Sequence, residues 1–166
     1  GSVILIIYPI AGIITGKILF DQMTKKIYLK LHKKSEQEYK ELVENANSIV
    51  MRLNLEGCVL FCNRYALDFF GFRKEELIGK NIVGTIVPEY ESTGRDLRKL
   101  IEDLLKNPQD YVLNDNENIK KNGDRVWISW ANKVIVNNDN NKHEILSLGI
   151  DITHLKRVEN ALLESE

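Results

Sequence analysis

The stretch YVLNDNENIKKNGDRVWISWANKVIV, residues 111–136, decides the fold of this chain. Its centre holds Asn122-Gly123, a pair that turns one strand tightly back on another. The segment before the turn predicts a strand over 111–121. The segment after it, rich in Trp, Ile and Val, predicts a longer strand over 125–136. Working outward, the polar residues 137–142 read as a loop between two long strands, and 144–151 read as a last strand. Over 152–166 Ile152, Leu155, Val158 and Leu162 recur at three-to-four spacing, so a helix leaves the sheet at its end.

Upstream, Asn107-Pro108 stops a helix predicted over 95–106, where Leu97, Leu100, Ile101, Leu104 and Leu105 fall at helical spacing. Pro88 breaks the chain before that helix. Residues 48–54 and 58–62 read as two strands about a Leu55-Glu56-Gly57 turn. Asn63 is placed to cap a short helix over 64–70 that Gly71 ends, and 75–78 give another helical turn before Gly79. Two strands, several short helices and three more strands define an α+β domain over 47–153. Its expected form is a five-stranded antiparallel sheet with short helices on one face, followed by a C-terminal helix over 154–166.

Two segments precede this domain. Residues 3–20, VILIIYPIAGIITGKILF, carry one charge, Lys17. As a helix rising about 1.5 Å per residue they span most of a bilayer core of roughly 30 Å. Residues 21–34 hold five lysines and one aspartate, the bias found on the cytoplasmic side of a membrane span. Gly12 and Gly16 form a GxxxG spacing that lets two membrane helices approach closely. The same apolar run also reads as a buried core helix, or as one packed on its twin in a soluble dimer. Residues 21–46 form a linker whose 27–46 portion is amphipathic, with Ile27, Leu31, Tyr39, Leu42, Val43 and Ala46 on one face. Ser35 and Glu38 interrupt its heptad, so pairing in a homodimer is not that of a long rigid coiled coil. The expected placement is the cell membrane, with the globular domain on the cytoplasmic side.

Composition narrows the function. The 166 residues carry 23 Lys and Arg against 24 Asp and Glu, a net charge of −1, and nothing argues for nucleic acid. Cys58 and Cys62 lack the further Cys or His residues of a zinc set and read as buried free thiols. Acid pairs such as Glu75-Glu76 and Glu102-Asp103 sit on solvated helix faces. No nucleophile, base and orienting group recur together, so no catalytic residues are expected.

The order Leu55-Glu56-Gly57, Asn63, Gly71-Phe72, Glu75-Glu76-Leu77 and Ile78-Gly79-Lys80 is familiar. So is its continuation through Lys120-Lys121-Asn122-Gly123, Val126-Trp127-Ile128-Ser129-Trp130 and Asp151-Ile152-Thr153. Across residues 36–156 the chain resembles a PAS domain with its PAC segment. The resemblance implies a sensory or dimerisation module of a membrane-anchored bacterial or archaeal signalling protein. Such modules feed histidine kinases of two-component systems, diguanylate cyclases or chemoreceptors. The chain shows no H-box, ATP-binding glycine block or G-G-D-E-F motif, so the output domain is expected outside it. The resemblance places signal coupling at Asp151 and Thr153, while the apolar stripes of the flanking helices put the candidate dimer contacts at Leu31, Leu42, Leu155 and Leu162.

PAS domains often hold a small ligand between sheet and helices. Light-sensing members of the LOV type need a cysteine after G-R-N; here Gly79-Lys80-Asn81 is followed by Ile82, and their last-strand glutamine falls at about Gly149. The adduct chemistry is therefore excluded, and Ile82 stands instead as an apolar candidate of the pocket. His32, His143 and His154 fall in the linker, at a loop edge and in the exit helix, which argues against His-ligated haem. A non-covalent flavin or a small metabolite stays open. Aligned on the LOV-like pattern, Met51, Leu53, Asn118, Val126, Ile128, Trp130 and Asn132 face inward, Trp130 to stack and the two amides to hydrogen-bond. The same residues read equally as plain core, as do Phe61, Phe69, Phe70, Ile86, Leu100 and Leu104.

Overall fold

The long strand predicted around Trp127 and Trp130 is the spine of the sheet. In the computed structural model, which describes the backbone of residues 2–137 and 141–163 and side chains from residue 16 onward, it is β4 (Arg125–Asn137). The other strands are β1 (Ile49–Leu53), β2 (Val59–Cys62), β3 (Leu113–Ile119) and β5 (Lys142–Asp151). All pairs are antiparallel, in the order β2-β1-β5-β4-β3. The chain starts a hairpin at one edge, crosses through the helical layer, and returns to build the sheet inward from the other edge.

That layer contains α2 (Arg64–Phe70), α3 (Lys74–Leu77), α4 (Leu97–Lys106) and a 3-10 turn at Pro108–Tyr111. Phe70, Leu77, Ile86, Leu97, Ile101 and Leu104 from this side meet Ile49, Met51, Leu53, Val126, Ile128 and Ile145 of the sheet in one core. Gly71 ends α2 in the left-handed region at φ 78°, its N–H donating to Leu67. Asp96 starts α4 two residues later than periodicity suggests, because its carboxylate accepts the Lys99 N–H at 2.9 Å.

Other expectations need correction. The strand expected from Tyr111 begins at Leu113; Pro108 fixes the first turn of a 3-10 helix, and the Tyr111 carbonyl is turned to the Asn132 amide at 2.9 Å. The exit helix is α5 (Thr153–Leu163), with 164–166 outside the described residues. Loop residues 138–140 also lie outside them.

The segments expected as 3–20 and 21–46 are one helix, α1 (Ser2–Glu44). Side chains of residues 3–15, and with them Gly12, lie outside the described ones. Among the described residues no helix is long and apolar enough to cross a membrane. At Gly16 a side chain would meet nothing within 4 Å. The chain divides into two units, Gly1–Leu42 and Val43–Glu166.

Within the second unit, Asn63 joins three elements. Its Oδ1 accepts the Val50 and Ala66 N–H groups at 3.1 and 3.0 Å, capping α2 and fixing β1. Its Nδ2 donates to the Val43 and Ser48 carbonyls at 3.1 and 3.0 Å. All four hydrogen-bonding valences of this fully buried amide are filled. Asn63→Ala leaves these backbone groups without their partner, and should lower unfolding stability by about 3 kcal/mol, read as a drop in the urea midpoint. An unchanged midpoint would refute this role.

Candidate functional site

The inner face of the sheet carries an unusual set of polar groups. Because successive strand residues alternate sides, Asn114, Asn116 and Asn118 of β3 all face the helices. The register sets them opposite Trp130, Ile128 and Val126 of β4, while Asn132 pairs with Ser147 of β5. Buried amides must find partners, and these find one another. Ser147 Oγ donates to Asn132 Oδ1 at 2.7 Å, and Asn132 Nδ2 to Asn114 Oδ1 at 2.7 Å. Asn114 Nδ2 continues to Asn116 Oδ1 at 2.9 Å, and Asn116 Nδ2 to Asn118 Oδ1 at 3.1 Å. Trp130 Nε1 also donates to Asn118 Oδ1, at 3.2 Å, and Asn118 Nδ2 donates to the Ile86 carbonyl at 3.1 Å.

Beside this ladder lies a cavity of about 30 Å³, room for a water molecule or two. Asn114, Asn116, Asn132, Ser147 and Trp130 form its polar wall, and Met51, Leu53, Ile82, Ile86, Val87, Ile101 and Leu104 its apolar one. No lining residue is charged.

Of the residues expected in a pocket, Met51, Leu53, Ile82, Trp130 and Asn132 line the cavity. Asn118 and Ile128 do not. The Asn118 amide is committed to Trp130, Asn116 and Ile86, while Ile128 is fully buried in the core. Asn114, Asn116 and Ser147 were not anticipated. The period-two recurrence of Asn at 114, 116 and 118 was the available signal.

A flavin does not fit these residues. A Cβ at Gly149 would stand 2.8 Å from the Trp130 ring, so the indole lies directly against this glycine and fills the floor beside β5. The remaining space is far below that of a tricyclic ring. His32, His143 and His154 are exposed, and none of them lines the inner cavity. Among the described residues no three His, Cys, Asp or Glu side chains gather as a metal site. Cys62 is buried, which raises its thiol pKa to about 11, and Cys58 is half-buried.

The edge of β3 is closed by the segment that leads into α4. Ile119 N–H donates to the Ile86 carbonyl at 2.8 Å, Glu117 N–H reaches the Glu91 carboxylate at 3.3 Å, and Arg95 donates to the Asp115 carbonyl at 2.7 Å. The buried Glu117 carboxylate in turn accepts the Ser92 N–H and hydroxyl, both at 2.7 Å, and Arg125 at 2.6 Å. Burial raises its pKa, but the Ser92 bonds and the Arg125 guanidinium together outweigh that and hold it below the ordinary value.

The exit from the sheet is equally tied. Thr153 Oγ1 accepts the Trp127 N–H of β4 at 2.9 Å and donates to Asp151 Oδ1 at 2.5 Å, which also accepts the Thr153 N–H at 2.8 Å. Ile152 N–H donates to the Trp127 carbonyl at 2.9 Å. Leu31, Leu42, Leu155 and Leu162, expected at helix pairings, are all exposed.

A PAS fold family model matches residues 37–152, and the chain belongs to that family. The PAS domain of an HTR-like protein from Haloarcula marismortui superposes with a TM-score of 0.62 at 13% identity, covering 76% of this chain and 99% of that one. A PAS domain from a two-component sensor histidine kinase gives 0.55 at 10% identity, with 72% and 98% covered. The PAS domain of the Cronobacter turicensis RpfR quorum-sensing receptor, in complex with C12:0, gives 0.52 at 22% identity, with 67% and 99% covered. These likenesses show the fold. Comparison with curated proteins gives no match.

The Glu117 bonds make stability pH-dependent. Because the folded pKa lies below the ordinary 4.5, the stabilisation is complete above that value and is lost as pH falls beneath it. Glu117→Gln should therefore be less stable at pH 7 by about 2 kcal/mol, with the gap to the native chain narrowing from pH 5 towards 3. Parallel urea-midpoint curves across this range would contradict it.

Proposed function

We propose that this chain is the PAS relay module of a membrane-anchored signalling protein of the histidine kinase or diguanylate cyclase type. It takes a conformational signal from α1 or from an occupant of the inner cavity and passes it through α5 to an output domain beyond this chain. The module has no catalysis of its own and works as a homodimer on the cytoplasmic side of the membrane. The observation that carries this reading is the bracing of α5 on β4. Trp127, which holds Thr153 and Ile152 through its backbone, is three residues from Trp130 in the cavity wall. Displacement of β4 by an occupant therefore reaches the first turn of α5 directly.

The chemistry of the wall supports one kind of occupant. Amide, hydroxyl and indole groups with no charged side chain favour a neutral molecule that both donates and accepts hydrogen bonds; an unpaired ion there would lose its hydration without compensation. A small neutral metabolite has this chemistry, and because it exceeds the roughly 30 Å³ present its entry would have to displace β4 or the helical layer; a tricyclic flavin exceeds that space much further.

The alternative is a ligand-free dimerisation scaffold. It is favoured by one specific feature: the amide ladder makes its bonds within the protein, and so does not depend on an occupant. In both readings Asp151 and Thr153 hold α5 to the sheet, but only the relay uses that junction to carry a signal.

Thr153→Val removes the hydroxyl that bridges Trp127 and Asp151, and Asp151→Ala removes its partner. Each should abolish stimulus-dependent output of the full-length protein in a cellular reporter while the thermal midpoint of the domain stays within a few degrees of native. An unaltered response would refute the relay.

A further inference from the structure

The charge on α1 is segregated along its length. Residues 21–34 carry Lys25, Lys26, Lys30, Lys33 and Lys34 against Asp21, whereas 35–44 carry Glu36, Glu38, Glu41 and Glu44 against Lys40. The sign reverses between Lys34 and Glu36. All five lysines are exposed, and among the described residues only Lys34 has an ion-pair partner, Glu38 at 3.7 Å.

The same stretch exposes apolar side chains that a helix in water would cover. Ile18, Leu19 and Phe20 are each more than half exposed and, at 3.6 residues per turn, point to three sides of the cylinder. Beyond them Phe20, Met23, Ile27 and Leu31 line one stripe at three-to-four spacing, also exposed. Lys26, Lys30 and Lys33 form the neighbouring stripe.

A second copy of the helix would cover the apolar stripe but set the lysine rows of two copies close together. An anionic membrane surface satisfies both stripes. Apolar side chains enter the headgroup boundary, and lysine stems lie along them with their ammonium groups at the phosphates. The glutamates beyond Lys34 are repelled by the same surface, which sets where contact ends.

We infer that residues 18–34 of α1 form a docking collar for the headgroups of anionic phospholipids. This inference rests on the membrane-proximal reading of α1 proposed above.

The test uses the full chain and a variant with Lys25, Lys26, Lys30, Lys33 and Lys34 all replaced by Gln. Both are mixed with vesicles of phosphatidylcholine alone or with an equal share of phosphatidylglycerol, floated, and extracted for native mass spectrometry of the retained lipids. The native chain should float with both vesicles and retain phosphatidylglycerol over phosphatidylcholine by about tenfold or more, given a several-fold effect per surface lysine. The preference should vanish in the variant and fall steeply in high salt. Flotation with equal retention of the two lipids would overturn the collar and leave the membrane reading standing. Failure to float with either vesicle would overturn both. A concentration-dependent dimer of the native chain without lipid preference would assign the apolar stripe to a second copy, and also overturn the collar.

Discussion

The architecture turns on one constraint: three asparagines at alternate positions of an edge strand must all be satisfied inside the protein. Strand periodicity sends Asn114, Asn116 and Asn118 to the same face, where Asn116 and Asn118 are cut off from bulk water and Asn114 is half-buried. Their lateral bonds to Asn132 and Trp130, with Ser147 beyond Asn132, hold β3 in register on β4 and tie that pair to β5. A slip of one residue would turn Asp115 and Glu117 inward instead. The ladder also reaches the helical layer through the Ile86 and Tyr111 carbonyls. Sheet and helices are thereby joined by directional bonds as well as by apolar packing.

This arrangement explains the size of the cavity. Trp130 is held at one end by Asn118 and lies against Gly149, so the largest side chain of the inner face occupies the floor that a wider ligand would need. What remains is a small space with an uncharged polar wall. The strand that forms much of this wall also braces α5 through Trp127, and the edge of β3 is bonded to the segment leading into α4. In the proposed relay, the tied exit is what passes displacement of β4 to α5.

Much of the fold was legible because local chemistry agreed with the global structure. Asn63 and Gly71 bound α2 as their side-chain chemistry and backbone freedom require, and Asn122-Gly123 marked the hairpin. The shift at Tyr111 was not legible, since the carbonyl it gives to Asn132 depends on a partner 21 residues away. Within the pocket, alternation placed Met51, Leu53, Trp130 and Asn132 but could not reveal that Asn118 is consumed by Trp130 and Asn116. The Glu91 and Glu117 contacts join a loop to a strand 26 residues on, and leave no periodic trace in the sequence.

The central claim is that the inner cavity and the exit helix are mechanically coupled through β4. Hydrogen–deuterium exchange of α5 in the native chain and in Asn132→Leu tests it most directly, because this substitution breaks the ladder at the cavity wall far from Thr153 in sequence. The expected result is faster exchange across Thr153–Leu163 in the variant, with exchange in α2 unchanged. Equal exchange of α5 in the two proteins, with the variant folded and its cavity perturbed, would contradict the coupling.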